Sequence, residues 1–431
     1  MARSDMSSFA RLFTSAAVIE PTEIRAVLLS FVYFACLMAS YFILRPVRDA
    51  MGTVYGVRHL QELFTGTFLL SFLVAAVYAG LASRIKLATF LPWVYGFIAL
   101  TLGVFYALFV RGTHDRWAAA GFFVWVSTFN ILTISVFWSL MADTFSRTQA
   151  KRLFGVVAAG GTLGTVAGPA ITTLLVKGVG TNTLLLISAG GFLVTAWLVR
   201  LLEREKQRLR ALGEGQETTL DRPLAGNPFD GFSLVAKSRY LLLLSLFLLL
   251  MTWISTIVYF QLGDLISQAF ASRDARTQAY ALIDLVVNVA AFFLQLFGTG
   301  RIIHRYGVTT GLLLNPIIMV VAFLAVAFSP VLLVLASMQV LRRIAEYAIA
   351  KPTREMLFTI VDQVSKYKAK NVIDTVVYRF GDVSAAWFSA AVLPYGVGGL
   401  AVFGLVVSAI WFPIALALGR RYEHARSGEG G

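Results

Sequence analysis

Apolar residues dominate the chain in long stretches, and short polar segments separate these stretches. A helix of about 20 apolar residues spans the roughly 30 Å hydrocarbon core of a bilayer. We therefore predict an all-α membrane protein with twelve transmembrane helices. The predicted spans are residues 24–47, 62–82, 88–110, 117–141, 153–176, 181–202, 239–262, 277–299, 308–328, 330–350, 372–394 and 397–419.

The sixth and seventh spans are separated by a polar segment that is too hydrophilic to hide a further span. It begins with the charged run 203–206, which predicts a helical extension, and continues with glycines and prolines that are typical of a flexible linker. We predict three parts: an N-terminal six-helix bundle with its tail (1–202), a cytoplasmic linker (203–238) and a C-terminal six-helix bundle with its tail (239–431).

Composition agrees with a membrane protein. Hydrophobic residues make up 58% of the chain and charged residues 14%, and the mean hydropathy is +0.75. A soluble protein of this composition would expose far too much apolar surface. The net charge of +14 lies mostly in short connections between spans, which is the distribution of a membrane protein rather than of a nucleic-acid-binding one. The lipid bilayer is therefore an expected partner, and nucleic acid is not.

The distribution of lysine and arginine predicts the orientation. One set of loops, together with both tails and the linker, carries most of these residues, including Arg84, Lys86, Lys151, Arg152 and Lys366. Basic loops stay on the cytoplasmic side, so both termini and residues 203–238 are predicted to be cytoplasmic. The tail also contains a short amphipathic stretch at residues 9–13.

Several classes of chemistry are absent from the sequence. Cys36 is the only cysteine, so an intrachain disulfide and a thiolate metal cluster are excluded. The four histidines are scattered without the spacing of metal ligands. No phosphate-binding loop or catalytic triad is present. We expect no metal, no cofactor, no enzymatic activity and a monomer.

The two halves resemble each other. The loop Asp143–Lys151 aligns with Asp362–Lys370, with Asp, Ser, Ala and Lys at the same positions, and each loop precedes an apolar span. Two parallel six-helix repeats are the layout of the major facilitator fold, in which substrate binds between the repeats near the membrane midplane.

Charged residues close the first span at Arg45, Arg48 and Asp49, with Pro46 between the arginines. Proline removes a backbone donor and can open the helix locally. The planar arginine fork matches phosphate or carboxylate, and Asp49 could orient one guanidinium when substrate is absent. The alternative is that both arginines extend to the membrane surface.

A second charged set lies in the eleventh span at Asp374, Arg379 and Asp382. Arg379 and Asp382 share a helix face, whereas Asp374 points away from it. Two charged sets in one membrane protein favour a polar pathway and therefore transport. The alternative is a self-satisfied ion pair that joins two helices.

Weaker candidates lie in the eighth and tenth spans. Asp284 and Asn288 occupy one stripe of the eighth span and are expected to be buried. Arg342 and Glu346 have the same spacing in the tenth span, where they are interpreted as ordinary charges near the cytoplasmic interface.

Small residues form a ridge in the fifth span at Gly160, Gly164 and Gly168, followed by Pro169. This spacing lets two helix backbones approach closely, so helix packing is the expected role. The alternative is a flexible gate.

Three segments of the chain together resemble the bacterial and plastid ATP/ADP translocase family: residues 44–50, residues 137–155 and residues 368–374 with the following Arg379. The resemblance implies a twelve-helix facilitator-like fold and exchange of nucleoside phosphates. It also implies that Arg48 replaces a lysine common in the better-known exchangers. A functional acid in the eighth span would then fall on Asp284, and a basic group in the eleventh span on Arg379. The chain is shorter than a typical exchanger.

We therefore expect an antiporter of the bacterial inner membrane that exchanges ATP/ADP-like nucleotides, or a related phosphorylated anion, by alternating access. Its predicted substrate-binding residues are Arg45, Arg48, Asp49, Asp284, Arg379 and Asp382. One alternative is an ion-coupled facilitator for another organic anion or an amphiphile, with Asp284 or Asp374 as the coupling acid. Another is a membrane partner protein that does not transport.

Overall fold

The computed structural model describes residues 19–82, 87–112, 115–211, 230–361, 369–370 and 372–428. Helices account for nearly all of these residues, and none of them forms a β-strand. Because almost every described segment is both helical and apolar, the predicted all-α membrane fold is confirmed.

The first half of the chain contains six long helices among its described residues. Helices α1 to α4 are Ile24–Tyr55, Leu60–Ala82, Leu87–Arg111 and Asp115–Thr144. The next helix, Arg147–Ala211, is interrupted at Gly180, where φ is 80° and ψ is 159°. Glycine adopts positive φ without the steric cost of a Cβ, so the break separates α5 (147–179) from α6 (181–211).

The second half begins with a short helix, Asp230–Lys237, followed by α7, Arg239–Ala269. A long helical run from residue 273 to residue 328 breaks at Gly307, where φ is 82°, into α8 (273–306) and α9 (308–328). The remaining long helices are α10 (332–357), α11 (372–392) and α12 (Gly396–Gly428). Short π-helical segments lie within α8, α10 and α11.

The length of the helical segments accounts for the twelve spans. Eight continuous segments of the described chain are long and apolar enough to cross a membrane, and three of them have 54 to 62 residues. Since about 20 helical residues suffice for one crossing, each of these three contains two spans, divided at Gly180, Gly307 or Gly396. The charged helix α10 supplies the remaining one, so each of the twelve predicted spans corresponds to one of the long helices α1 to α12 among the described residues.

The first predicted span ends too early. Helix α1 continues without interruption through Pro46 to Tyr55. Arg45, Arg48 and Asp49 therefore lie inside the helix rather than at its end, and Pro46 does not open it. A proline costs a helix one backbone hydrogen bond, which a transmembrane helix tolerates when neighbouring groups satisfy the freed carbonyl.

The charged extension of the sixth span is helical, as predicted, and α6 reaches Ala211. Lys206 is buried there and forms an ion pair with Asp143 at the end of α4. The glycine- and proline-rich remainder of the linker, the tail residues 9–13 and most of the loop Asp362–Lys370 lie outside the described residues.

The chain packs as two compact units. The first comprises Met1–Arg48 and Leu70–Pro223, and the second comprises Asp49–Leu69 and Leu224–Gly431. The first has an aromatic core that includes Tyr33 and Phe137, whose ring centroids are 4.9 Å apart. The second buries Trp411 of α12 against Phe247 of α7. The predicted division at residues 203–238 stays a prediction.

Candidate functional site

In the first unit, Arg48 contacts two residues of α4. Its Nη1 donates to the hydroxyl of Ser127 at 3.4 Å, and its guanidinium carbon lies 5.3 Å from the centroid of the Phe123 ring. One turn earlier, the guanidinium of Arg45 lies 5.6 Å from the ring of Phe42. Both arginines are only partly exposed. Their surroundings include a hydroxyl and aromatic faces, a setting in which a guanidinium keeps its charge.

Asp49 is buried in the second unit, where its Oδ1 accepts a hydrogen bond from the hydroxyl of Tyr259 at 3.1 Å. Tyr259 lies on α7, and Phe64 of α2 packs edge-on against its ring. The sequence suggested that Asp49 orients an arginine, and it gave no signal for the tyrosine. The two residues are separated by 210 positions, so only the tertiary fold brings them together.

The segment Asp49–Leu69, called here the α1–α2 hairpin, has two further polar contacts with the rest of the second unit. Arg276 at the start of α8 donates to Thr53 Oγ1 at 3.1 Å and also to the carbonyls of Ser267 and Phe270 at 3.1 and 2.7 Å. Trp387 of α11 donates from its indole nitrogen to Thr65 Oγ1 at 3.1 Å. The hairpin is therefore held by hydrogen bonds from three helices: α7, α8 and α11.

Asp284 is buried, as expected, and forms an ion pair with Arg343 of α10. The guanidinium of Arg343 also lies 5.4 Å from the centroid of the Tyr347 ring. Sequence reasoning missed Arg343, although it directly follows Arg342, because only the fold shows that it faces α8.

Arg342 and Glu346 form a second buried pair, with a separation of 2.7 Å. Gln339 accepts a bond from Arg342 Nε at 3.0 Å, and Ser255 of α7 accepts another from Nη1. The interpretation of this pair as ordinary charge near the cytoplasmic interface did not anticipate its burial, since both side chains are less than 10% exposed. The physical reason is that α10 continues to Leu357, about 16 Å beyond Glu346.

A π-helical segment, Glu346–Ala350, begins at the second member of this pair. Such a segment displaces backbone carbonyls from their usual partners. Two side chains of the preceding π segment satisfy them: Gln295 donates to the carbonyl of Tyr347 at 2.9 Å, and Thr299 donates to that of Ala348 at 2.6 Å. The geometry around Glu346 is thus fixed by α8.

In α11, Arg379 and Asp382 lie 3.6 Å apart on one helix face, and both are about 15% exposed. Asp374 points elsewhere and lies 3.4 Å from Arg354 of α10. An ion pair that joins two helices therefore exists at Asp374, whereas the Arg379–Asp382 pair lies within a single helix.

The glycine ridge packs directly on α1. A Cβ at Gly160 would lie 2.3 Å from the carbonyl oxygen of Phe31, and one at Gly164 would lie 2.3 Å from that of Ala35. At Gly168 the nearest atom would be Cβ of Phe42, at 2.6 Å. These distances leave no room for a side chain, so the three glycines have the helix-packing role that the sequence predicts. A gating role for the ridge and Pro169 stays a prediction.

The described contacts divide the predicted site residues into separate groups. Arg45 and Arg48 belong to the first unit. In the second unit Asp49, Asp284 and Asp382 each have a different partner: Tyr259, Arg343 and Arg379. No cluster of three or more potential metal-binding side chains occurs among the residues that the structure describes. Convergence of Arg45, Arg48 and Arg379 on one substrate stays a prediction.

Comparison with known proteins identifies both a sequence family and a fold. The sequence model of the Major Facilitator Superfamily matches residues 34–342. ADP,ATP carrier protein 1 of Chlamydia pneumoniae is 25% identical over 226 residues, which cover 46% of this chain and 43% of the carrier. The match thus spans less than half the length of that relative.

Solved structures with the same fold cover almost the whole chain. A bacterial homologue of the iron transporter ferroportin superposes with a TM-score of 0.65 at 12% identity, covering 92% of this chain and 100% of that one. The nucleoside transporter NupG superposes with a TM-score of 0.61 at 15% identity, covering 93% and 98%. At such identities the likeness establishes the fold alone.

Proposed function

Because the chain belongs to the Major Facilitator Superfamily, and is thus a multi-pass membrane transporter, we propose that it exchanges nucleotides. In this proposal it is an antiporter of the bacterial inner membrane that exchanges ATP/ADP-like nucleotides, or a related phosphorylated anion, by alternating access. It acts as a monomer, with both termini and residues 203–238 in the cytoplasm. The similarity to the Chlamydia pneumoniae carrier supports the choice of substrate.

The observation that carries the proposal is the position of Arg48. Arg48 is part of the membrane-spanning helix α1, and its guanidinium lies beside the Ser127 hydroxyl and the Phe123 ring of α4. A guanidinium offers a planar set of donors that matches the oxygens of a phosphate, and it remains charged inside a protein. A permanent positive charge at membrane depth is costly and is typically found along a substrate pathway.

The other predicted residues complete the proposed site. Arg45 and Arg379 supply further donors to the substrate, while Asp49 and Asp382 balance the positive charge when the substrate is absent. Asp284 contributes through its buried pair with Arg343.

Exchange in proteoliposomes tests the proposal. Vesicles are loaded with ADP, and uptake of labelled ATP is measured for wild type, Arg48→Gln and Arg48→Lys. Loss of one charged hydrogen-bonding group costs about 1.5–3 kcal/mol, or roughly 10- to 150-fold in apparent affinity. Arg48→Gln should show this loss, and Arg48→Lys a smaller one.

Arg208→Gln is the matched control, since Arg208 is exposed near the end of α6 and pairs with Glu205. It should exchange like wild type. Wild-type exchange of every anion by Arg48→Gln would remove Arg48 from the site.

A second candidate is an ion-coupled facilitator for another organic anion, and the burial of Asp284 inside α8 favours it. A buried carboxylate in a span is a common element of proton relays. The discriminating measurement is uptake into vesicles without internal substrate, driven by a pH gradient. Uptake driven by the pH gradient supports coupling, and strict dependence on internal nucleotide supports exchange. The absence of both would indicate a partner protein that does not transport.

A further inference from the structure

A groove of about 660 Å³ lies between α7 and α11 in the second unit. Its volume falls in the roughly 300–1,000 Å³ range of small-molecule sites. The walls are almost wholly apolar and include Leu242, Leu246 and Leu249 of α7, and Val377 and Phe380 of α11. These apolar walls fit a hydrocarbon chain.

The depth of the groove matches one leaflet of a bilayer. From Arg239 at its mouth to Leu249 at its inner end the α7 backbone advances ten residues, about 15 Å. The hydrocarbon core is about 30 Å thick, so this distance is half of it. An acyl chain lying along α7 would follow the groove without leaving its leaflet.

Two arginines mark the mouth. Arg239 of α7 and Arg421 of α12 both line the groove and are exposed, and neither forms an ion pair with another described residue. Arg239 follows the N-cap Ser238, so the positive end of the α7 dipole lies at the same place. The mouth thus combines two guanidinium groups with a helix N-terminus above an apolar channel.

The short helix Asp230–Lys237 precedes this mouth, and its Val235 also lines the groove. Phe232 and Lys237 of the same helix are exposed. A short helix that exposes both an aromatic ring and a lysine is suited to the boundary between headgroups and hydrocarbon.

We propose that this groove binds an anionic phospholipid of the bilayer. One acyl chain lies against the leucines of α7 and Phe380, and the phosphate accepts hydrogen bonds from Arg239 and Arg421. Basic pockets between transmembrane helices bind anionic headgroups in this way. In the proposed orientation the lipid belongs to the cytoplasmic leaflet.

The test measures thermal unfolding of the full chain in detergent with added lipid. Phosphatidylglycerol should raise the Tm. Phosphatidylcholine, whose choline cation cancels the charge of its phosphate, and glycerol 3-phosphate, which has no acyl chains, should not. In the double variant Arg239→Gln/Arg421→Gln the apparent affinity for phosphatidylglycerol should fall at least about 10-fold, the effect of about 1.4 kcal/mol.

Arg420→Gln is the matched control because Arg420 is exposed next to Arg421 but does not line the groove. It should respond to phosphatidylglycerol like wild type. A second variant, Leu246→Trp, fills the groove without changing charge and should also abolish the response.

Three outcomes would overturn the proposal. Equal stabilisation by phosphatidylcholine would remove headgroup recognition, equal stabilisation by glycerol 3-phosphate would indicate a soluble anion instead, and an unchanged response in the double variant would place the lipid elsewhere. Because no nucleotide enters the assay, none of these results depends on the proposed exchange activity.

Discussion

Arg343 of α10 and Asp284 of α8 form an ion pair in which both side chains are almost completely buried. Removing one member of such a pair leaves an uncompensated charge in a region of low dielectric constant and costs about 3–5 kcal/mol. We therefore expect Asp284→Asn to lower the stability of the protein strongly, as measured by thermal unfolding in detergent.

The pair Arg208–Glu205, in which the Arg208 side chain is 49% exposed, is the control for this effect. Surface pairs contribute only about 0–1 kcal/mol, so Arg208→Gln should be nearly neutral. The apolar double variant Asp284→Leu/Arg343→Met should recover much of the loss, because no unpaired charge remains. Equal effects of Asp284→Asn and Arg208→Gln would contradict the burial argument.

Gly164 faces the backbone of α1 so closely that alanine does not fit. Its Cβ would lie 2.3 Å from the carbonyl oxygen of Ala35, and relief of that overlap requires the two helices to separate. Overpacking typically costs about 1–3 kcal/mol, and we expect that range for Gly164→Ala by thermal unfolding.

Gly155, in the same helix, has open space at its Cβ position. Gly155→Ala should be neutral or slightly stabilising, because alanine is the better helix former. If Gly155→Ala lowered the stability as much as Gly164→Ala, the backbone contact with α1 would not be the cause of the destabilisation.

Arg276 joins three acceptors: Thr53 in the α1–α2 hairpin and the carbonyls of Ser267 and Phe270. Glutamine cannot reach all of them, so Arg276→Gln should cost about 1–3 kcal/mol. Hydrogen exchange of the hairpin amides should become faster. Arg58→Gln removes an exposed charge of the same hairpin and should leave that exchange unchanged. Identical exchange in the Arg276 variant would show that Thr53 does not anchor the hairpin.

The sequence determined the positions of the spans but not the partners of their charges. The spans follow from apolar length, and the positive-φ glycines at 180 and 307 lie where the predicted spans 5 and 6, and 8 and 9, are divided. Helix α1 was predicted too short because Arg45, Arg48 and Asp49 interrupt its apolar run. In the fold, Ser127 and Tyr259 provide polar contacts that let the helix continue.

The two partners that the sequence did not reveal, Arg343 and Tyr259, are both far along the chain from the carboxylates they contact. Arg343 is 59 residues from Asp284, and Tyr259 is 210 residues from Asp49, so neither pairing has a local pattern. Periodicity places Asp284 on a buried stripe, but only the packing of α8 against α10 selects Arg343 over the neighbouring Arg342.

The final prediction concerns Glu355, which lies near the end of α10, beyond the predicted tenth span 330–350. Partial burial by itself would raise the pKa of its carboxyl, but hydrogen bonds from Lys370 and Arg354 outweigh burial and hold the pKa below its ordinary value of 4.5. Asp374 also lies beside Arg354, so a second carboxylate shares this cation.

A carboxyl whose pKa is lower in the folded state stabilises the protein above its unfolded pKa, and this contribution disappears as the pH falls through the folded value. The difference in Tm between wild type and Glu355→Gln should therefore have its largest value at pH 7 and should decrease as the pH falls below about 4.5. Thermal unfolding between pH 7 and pH 3 measures this difference. Arg208→Gln, which leaves both carboxylates and their cations in place, should show no such narrowing. A Tm difference for Glu355→Gln that stays constant over this range would mean that the carboxylate contributes no charge-dependent stability, and that Lys370 and Arg354 are held by other groups.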